Sequence, residues 1–531
     1  MNQTDLRSLH AHATHLTETG QFEVARQAWL NLLALAPDST DILLELSYLE
    51  SLAGQHRAAH DWCVRAAEAP KHSLRNPIAF IRRLRTFNQV PRLCSLATDL
   101  LAIPQPSEGA LQECARQLSN LDVPDLALQC AEHACTLAPN DLGARILRAQ
   151  IWADFGRIDE AERELATVLA TNPRYSIAWW MLARLKRQTH ESNHIPTLLA
   201  RLKDPGLRPP DIASLARALH KECDDLDDVP LAWAALERMC QARRRDLDYH
   251  ATHTRCLVDA LIASTAGLAT TEVPHAATTP IFVLGMHRSG TSLLEQLLAG
   301  HPQIRALGEL SDFTHAMRYA TDHYCKGTID EKIVTRAHLV DWADVGTRYI
   351  DGLSWRLDGH SHFIDKEPSN FLNIGFICRA LPQAKILHMV RDPVETCFSN
   401  LRELFSGINA HTYDQVEMAE YFIQYRRLMA HWHMAFPERI LDVSYAELTR
   451  DAEATMQKVA AFCRIEFQPS MVDPRHTTRA VATASAIQVR EAITHRKHAK
   501  WLPYSQYLRP LITTLRDGGI ELSPEALQAI A

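Results

Sequence analysis

The sequence predicts a two-part fold: an α-solenoid of helical hairpins, followed by an α/β domain with a central parallel sheet. Three observations predict it. Landmark glycines, alanines and prolines recur every 34 residues in the first half of the chain. An apolar run at residues 281–284 leads into a glycine-bounded loop and an amphipathic helix. A second strand is predicted over residues 386–390 and ends at Arg391, at the strand end where parallel sheets present ligand-binding groups.

Length and composition narrow the class of protein. The 531 residues exceed what one hydrophobic core organises, and 46% hydrophobic with 22% charged residues is ordinary for a globular protein. The formal charge of −7 argues against nucleic-acid binding, which needs a basic face. No apolar run is long enough for a bilayer-crossing helix, and the N-terminus has no signal-peptide core. We therefore expect no membrane anchor and a cytoplasmic location.

The 34-residue period describes a helix, a glycine turn, a second helix and a proline that ends it. Gly20 recurs as Gly54, and Pro139 recurs as Pro173. The match is good for four units between about residues 1 and 185 and degenerate around residues 75–115. The pattern resembles the tetratricopeptide repeat, whose hairpins stack into a superhelix with a concave groove. That resemblance implies a surface that binds protein.

Composition and motifs also predict the domain boundaries. We expect the tetratricopeptide-like array over residues 1–185, further helical hairpins and a linker over residues 186–267, and the α/β domain over residues 279–520. The stretch LATTEVPHAATTP, rich in Thr, Ala and Pro, separates the last two. Twelve cysteines stand as singles with no CxxC pair, which indicates buried free thiols.

The loop GMHRSG has the G-x-x-x-x-G spacing of a phosphate-binding loop. Its backbone N–H groups and the following helix N-terminus suit an anion. Thr291 and Ser292 follow where an ATPase needs Lys-Ser or Lys-Thr, so the usual cation on the transferred group is missing. Arg288 is the obvious replacement. An Arg, two hydroxyls and backbone amides suit sulfuryl transfer, because the sulfuryl group carries less negative charge than a phosphoryl group.

This segment resembles the 5'-phosphosulfate loop of sulfotransferases that use 3'-phosphoadenosine 5'-phosphosulfate. The resemblance covers about residues 279–520 and is greatest to bacterial tetratricopeptide-repeat sulfotransferases and the related protein-tyrosine sulfotransferases. It implies a P-loop-like domain that binds this nucleotide as cosubstrate. The loop residues expected to contact the nucleotide are Arg288, Ser289, Gly290, Thr291 and Ser292.

The resemblance implies roles for four further residues. Arg391 and Ser399 would hold the 3'-phosphate; the alternative is a surface pair between Arg391 and Asp392. Lys366, in FIDKEPSN, would reach the bridging oxygen of the sulfate. Without the resemblance, a lysine in this segment is typical of a solvent-exposed turn. Glu309 would be the general base, and its alternative is a capping turn.

The C-terminal part supplies an adenine contact and a lid. Tyr445 matches a tyrosine at the adenine end, although a core tyrosine is nearly as good an interpretation. The segment TASAIQVREAITHRKHAKW resembles the lid, in which Ser485 matches a serine near the sulfate that assists catalysis. The basic residues of the lid expected to bind the nucleotide are Arg496, Lys497 and Lys500. Many relatives carry a glycine that THRKHAKW lacks, which leaves the contacts of residues 494–500 open.

The predicted function is transfer of a sulfuryl group to an acceptor hydroxyl or amine. The hydroxyl of a protein tyrosine is one candidate acceptor. No His/Asp/Glu set shows zinc-like spacing, so we predict no catalytic metal. The candidate partners are an acceptor and a second copy of the chain in a homodimer. The repeat groove suits a peptide or protein acceptor, and carbohydrate, lipid and small phenolic acceptors remain open. Two alternatives remain open: a repeat scaffold with a catalytically inactive nucleotide-binding relic, and a kinase on a related fold.

Overall fold

The structure, a computed structural model, describes residues 3–70, 74, 76–265, 278–405, 407–476, 493 and 499–531. The part before residue 266 is helical. Its helices are α1 (Gln3–Glu18), α2 (Phe22–Leu35), α3 (Thr40–Leu52), α4 (His56–Glu68), α5 (Pro77–Thr86), α6 (Val90–Ala102), α7 (Glu108–Asn120), α8 (Pro124–Leu137), α9 (Leu142–Asp154), α10 (Ile158–Thr171), α11 (Ser176–Leu185), α12 (Ile195–Arg201), α13 (Pro209–Asp225), α14 (Val229–Arg244) and α15 (Ala251–Thr265).

The part after residue 277 alternates strands and helices. Its strands are β1 (Thr279–Gly285), β2 (Ile304–Ala306), β3 (His362–Asp365), β4 (Lys385–Val390) and β5 (Ile440–Ser444). Its helices are α16 (Thr291–Leu298), α17 (Asp312–Ala320), α18 (Glu331–Arg336), α19 (Trp342–Leu353), α20 (Ile374–Ala380), α21 (Pro393–Leu401), α22 (Gln415–Ala435), α23 (Tyr445–Arg450), α24 (Ala452–Cys463), α25 (Arg509–Asp517) and α26 (Pro524–Gln528).

The helical repeats keep a strict period that the sequence only partly displays. Gly20, Gly54 and Gly156 adopt positive φ at the turn inside a hairpin. Asn88 and Asp122, with φ of 52° and 56°, stand at the two intervening positions of the same 34-residue series. Asn and Asp tolerate the left-handed region better than other non-glycine residues. The region that looks degenerate in sequence therefore forms regular hairpins.

The chain packs as two compact units, the first of which is built from two separate stretches, Met1–Pro139 and Ser311–Arg356. Helices α1 to α8 form four hairpins, and α17 packs against α4. The backbone N–H of Arg57 donates to Asp322 at 2.7 Å, and the hydroxyl of Tyr319 donates to Asp61 at 3.3 Å. These contacts tie the inserted stretch to the second hairpin.

The second unit contains Asn140–Leu310 and Leu357–Ala531, so it combines the later helical hairpins with the sheet. Its five strands are all parallel and lie in the order β2-β3-β1-β4-β5. The buried strands β1 and β4 are mostly apolar, as parallel strands covered on both faces are, with His388 as the buried polar residue of β4. The carboxyl ends of β1, β3 and β4 are neighbours, so the residues that follow them meet at one edge.

The predicted fold class, helical repeats followed by an α/β domain with a central parallel sheet, is confirmed. The domain boundaries predicted at residues 185, 267 and 279 remain predictions. The division into compact units reflects how the helices and strands pack, which is a different property from those boundaries. The twelve cysteines are all free and nine are buried, as expected. No helix in the described part of the chain combines the length and the apolarity needed to cross a bilayer.

Candidate functional site

The glycine loop after β1 owes its shape to backbone conformations that few residues adopt. Gly285 and Gly290 have φ of 142° and 111°, and Arg288 between them has φ of 67°. A Cβ atom on Gly285 would lie 2.8 Å from the backbone oxygen of Met389. A Cβ atom on Gly290 would lie 2.5 Å from the ring of Tyr445. Both glycines are therefore required by close approach as well as by φ.

Helix α16 begins at this loop, and no side chain caps its first-turn N–H groups. Its N-cap is Gly290, which has no side chain to accept from them. The hydroxyl-bearing residues Thr291 and Ser292 form the first turn and line a cavity. An uncapped helix N-terminus with adjacent hydroxyls is a favourable place for an anion.

Arg288, Ser399 and Arg391 come together although more than 100 residues separate the first from the others. The Nε of Arg288 donates to Ser399 Oγ at 3.3 Å. Arg391 donates from Nη1 to the backbone oxygen of Arg288 at 3.0 Å, and Asn400 donates to the backbone oxygen of His287 at 2.8 Å. Helix α21 and the end of β4 thus hold the loop in place, with the Arg288 guanidinium beside the Ser399 hydroxyl and the Arg391 guanidinium against the backbone of the loop.

The alternative pairing of Arg391 with Asp392 is not what the structure contains. Arg391 donates to Glu395 at 2.9 Å, whereas Asp392 caps α21 by accepting from the backbone N–H of Glu395. The guanidinium also stacks over the ring of Tyr445, 4.4 Å from its centroid. Tyr445 is therefore packed between the loop glycine and Arg391, at the wall of the cavity, rather than in the core.

Glu309 and Lys366 form an ion pair with a distance of 2.5 Å between Nζ and Oε1. The Lys366 side chain is fully buried, whereas that of Glu309 is 44% exposed and lines the cavity. A solvated turn is therefore the wrong interpretation of Lys366. Burial opposes the charge of Lys366, but the carboxylates of Glu309 and Glu295 outweigh it and raise the pKa of the ammonium.

Glu295 joins helix α16 to this pair. Its Oε1 accepts from the backbone N–H of Gly308 at 3.0 Å, and its Oε2 lies 3.9 Å from Lys366 Nζ. Burial raises the pKa of Glu295, against the effect of Lys366. The Glu295 carboxylate thereby fixes the segment that carries Glu309 relative to the glycine loop. Sequence reasoning missed it because it reads as one more polar residue of an amphipathic helix.

Two further titratable groups near the pair were not singled out in the sequence. Burial, followed by the neighbouring Glu309 carboxylate, raises the pKa of Glu367 to about 7. Burial lowers the pKa of His287 to about 4, so the imidazole is neutral at pH 7. Glu367 accepts from the backbone N–H of Ser369 at 2.9 Å, which also gives it a capping role.

The edge of the sheet opens into a cavity of about 1680 Å³. Most of the predicted site residues line it. These are Arg288, Gly290, Thr291, Ser292, Glu309, Arg391, Ser399, Tyr445 and Lys500. The dimensions and the clustered cations fit a nucleotide that carries several anionic groups.

The remaining predicted residues are not at the cavity wall or are not described. Ser289 is buried and does not line the cavity, because its hydroxyl turns towards Gly285. Lys366 lies behind Glu309 and likewise does not line it. Ser485, Arg496 and Lys497 lie outside the described residues.

One group of side chains away from this cavity has atoms close enough to share a metal ion. Among the described residues it consists of His388, His433 and Asp442. His388 Nδ1 and His433 Nε2 lie 2.7 and 3.0 Å from the same Asp442 oxygen, so hydrogen bonds account for the group. The three residues come from β4, α22 and β5, which is why no spacing in the sequence indicates them. The predicted absence of a catalytic metal stays a prediction.

Residues 280–469 match the model of the sulfotransferase family. An "Uncharacterized protein" of Aquifex aeolicus is 27% identical over 402 residues, which are 72% of this chain and 51% of that protein. The chain therefore spans about half the length of this relative. A Caenorhabditis briggsae protein named "Putative protein-tyrosine sulfotransferase" is 24% identical over 230 residues, 42% of this chain and 80% of the relative.

Among solved structures, the sulfotransferase domain of the Synechococcus PCC 7002 olefin synthase is 17% identical to this chain. The alignment covers 50% of this chain and 97% of that domain, with a TM-score of 0.31. The matched residues 280–469 contain the glycine loop, Glu309, Lys366, Arg391 and Ser399. The α/β domain that follows the helical repeats in this chain is therefore similar to the sulfotransferase family over those residues.

Proposed function

We propose that this protein transfers a sulfuryl group from 3'-phosphoadenosine 5'-phosphosulfate to a hydroxyl or amine acceptor. The observation that carries the proposal is the meeting of Arg288, Ser399 and Arg391 beside an uncapped helix N-terminus, in one cavity with Glu309. Two guanidinium groups and a hydroxyl suit a phosphate, and a helix N-terminus that no side chain caps suits a second anion. A donor with anionic groups at both its 3' and 5' ends matches this arrangement.

The chain's own residues have distinct roles in the proposed reaction. When bound, the nucleotide supplies the sulfuryl group and departs as adenosine 3',5'-bisphosphate. The first-turn N–H groups of α16, with Thr291 and Ser292, orient the 5' end. Arg391 and Ser399 hold the 3' end. Arg288 links the two ends, because it belongs to the loop and donates to Ser399.

Glu309 is the proposed general base. Its side chain is exposed to the cavity, so an acceptor hydroxyl can reach the carboxylate. The Lys366 ammonium fixes the orientation of the carboxylate from behind, at 2.5 Å. In this arrangement Lys366 acts through Glu309. When negative charge develops on the leaving phosphate, the phosphate competes with the Glu309 carboxylate for the Lys366 ammonium.

The acceptor is proposed to be a peptide or protein, with tyrosine as one candidate side chain. The support is the name of the Caenorhabditis briggsae relative and the helical repeats in front of the domain. Such repeats present grooves that suit extended chains. The location is proposed to be cytoplasmic and the state a homodimer, as expected from the sequence.

The proposal is tested by calorimetric binding of adenosine 3',5'-bisphosphate and 5'-ADP to the wild type and to Arg391→Ala. We expect a preference for the 3',5'-bisphosphate that the variant loses, with a cost of about 1.5–3 kcal/mol, roughly tenfold or more in affinity. Equal affinity of the wild type for the two nucleotides, or no binding, would overturn the proposal and favour a repeat scaffold. Turnover with ATP and magnesium would favour a kinase.

A further inference from the structure

Helix α13, which lies in the helical part of the chain, contributes one face to the cavity of the α/β domain. Arg217, Lys221 and Asp224 follow one another at spacings of four and three residues, which places them on the same side of the helix. All three line the cavity together with Arg288 and Ser399. Both parts belong to the second compact unit. The site is therefore built from more of the chain than the matched family segment.

Arg217 is buried without a full set of partners. It is 7% exposed, and its guanidinium stacks over the ring of Trp180 at 4.3 Å. Its ion pair with Glu403 has a distance of 3.9 Å, too long for a hydrogen bond. Among the described residues, neither Nε nor Nη1 has a hydrogen-bond acceptor. Buried donors without acceptors are costly, which makes this guanidinium a site for a ligand oxygen.

The charges around Arg217 do not supply that acceptor. Asp224, the nearest carboxylate on the same helix face, is held by Arg402 and by the Tyr504 hydroxyl, the latter at 2.6 Å. The charges that act on Arg217 include the guanidinium groups of Arg402 and Arg288 besides the two carboxylates. Burial lowers the pKa of Arg217 to about 10, so the group is still a cation at pH 7.

The position of Arg217 identifies which anion it faces. Its partner Glu403 comes four residues after Ser399, just past the end of α21, and its neighbour Arg288 donates to the Ser399 hydroxyl. Ser399 belongs to the pair proposed to hold the 3'-phosphate. Arg217 thus lies close enough to Arg288 for the two charges to affect each other, and Arg217, Arg288, Arg391 and Ser399 all line the one cavity.

We propose that Arg217 of helix α13 binds the 3'-phosphate of the donor nucleotide, so that the helical part of the chain completes the nucleotide site. The inference rests on the proposed function. The guanidinium edge formed by Nε and Nη2 can donate two parallel hydrogen bonds to one phosphate, which gives Nε the acceptor that it lacks. The phosphate displaces the long ion pair with Glu403.

The test is calorimetric binding of adenosine 3',5'-bisphosphate and adenosine 5'-phosphate to the full chain. Arg217→Gln is compared with Arg208→Gln, an exposed arginine at the start of the same helix that does not line the cavity. We expect Arg217→Gln to weaken the 3',5'-bisphosphate about tenfold or more and the 5'-phosphate little. Arg208→Gln should bind both as the wild type does.

Two further variants separate ligand binding from a structural role. Glu403→Gln removes the carboxylate that competes for Arg217 and should bind the 3',5'-bisphosphate at least as tightly as the wild type. Arg217→Lys keeps the charge without the fork and should bind with intermediate affinity, which preserves the test if Arg217→Gln does not fold. Thermal unfolding without nucleotide checks that each variant is folded.

The outcomes distinguish this inference from the proposed function. If the wild type shows no preference for the 3',5'-bisphosphate, the proposed function fails first. If the wild type prefers it and folded Arg217 variants bind both nucleotides normally, only the role of Arg217 is overturned. Equal losses of affinity for adenosine 3',5'-bisphosphate in Arg217→Gln and Glu403→Gln would also overturn it. Such a result would indicate that the ion pair between Arg217 and Glu403 only stabilises the fold.

Discussion

Arg288 combines a strained backbone with a central position in the site. Its φ of 67° is unusual for a residue with a long side chain and costs about 1–2 kcal/mol. The conformation turns its backbone oxygen to Arg391 and its Nε to Ser399. Strain of this kind persists where surrounding contacts determine the conformation, and such places are commonly functional. The contacts with Arg391 and Ser399 therefore determine the shape of the loop.

At the scale of single residues, Glu309→Gln should abolish most of the transfer and leave nucleotide binding nearly intact. The amide keeps the shape of the side chain and its contact with Lys366 but cannot accept a proton. We expect kcat to fall roughly 10²–10⁴-fold, the range of general-base contributions. Sulfuryl transfer is measured under saturating donor, and the affinity for adenosine 3',5'-bisphosphate is the control. Normal kcat in this variant would remove the assignment of the base.

Glu367 makes a pH-dependent contribution to stability. Its pKa in the folded protein, about 7, lies above the ordinary 4.5, so the folded state binds the proton more tightly than the unfolded state. The contribution is fully present below pH 4.5 and is lost as the pH rises through 7. We expect Glu367→Gln to lose less unfolding free energy than the wild type between pH 5 and pH 8. Chemical denaturation at both pH values measures this, with exposed Glu453→Gln as the control.

At the scale of elements, the close approach of helix α23 to the glycine loop limits which side chains the loop can carry. Gly290 and Gly359 are two positive-φ glycines of the second unit that have different surroundings. A Cβ atom on Gly290 would meet the Tyr445 ring, whereas a Cβ atom on Gly359 has no atom within 4 Å. Substitution of either costs about 1 kcal/mol through φ alone. Only the first also forces the loop and the ring apart.

We therefore expect Gly290→Ala to weaken nucleotide binding and to lower the unfolding free energy by more than Gly359→Ala does. The expected excess is about 1–3 kcal/mol, the usual cost of overpacking. Urea denaturation and calorimetry measure the two effects. Equal stability and equal affinity of the two variants would show that the contact with Tyr445 relaxes without consequence.

At the scale of the whole molecule, nucleotide binding should affect the two compact units differently. Every residue that lines the cavity belongs to the second unit. In amide hydrogen exchange we expect adenosine 3',5'-bisphosphate to protect the glycine loop, the start of α16, α13 and α21. Helices α1 to α8 should exchange as they do without ligand. Protection confined to α1–α8 would contradict the assignment of the cavity.

The sequence predicts what depends on local pattern and misses what depends on distant packing. The glycine loop, Arg391 and Ser399 carry motifs, and the structure brings them together. Arg217 has no motif, because its position at the cavity depends on how α13 packs. The same limit applies to the hairpin turns. Asn88 replaces a glycine that a period search expects, although its backbone conformation is the same.

The two-stretch composition of the first unit affects how the protein is synthesised. The residues up to Pro139 leave the ribosome early, but their partners in Ser311–Arg356 follow only after much of the second unit. At about 5–20 residues per second, Arg57 and Asp61 wait roughly thirteen to fifty seconds for their contacts with this stretch. During that interval the face of α4 that α17 later covers is exposed to chaperones and to other nascent chains.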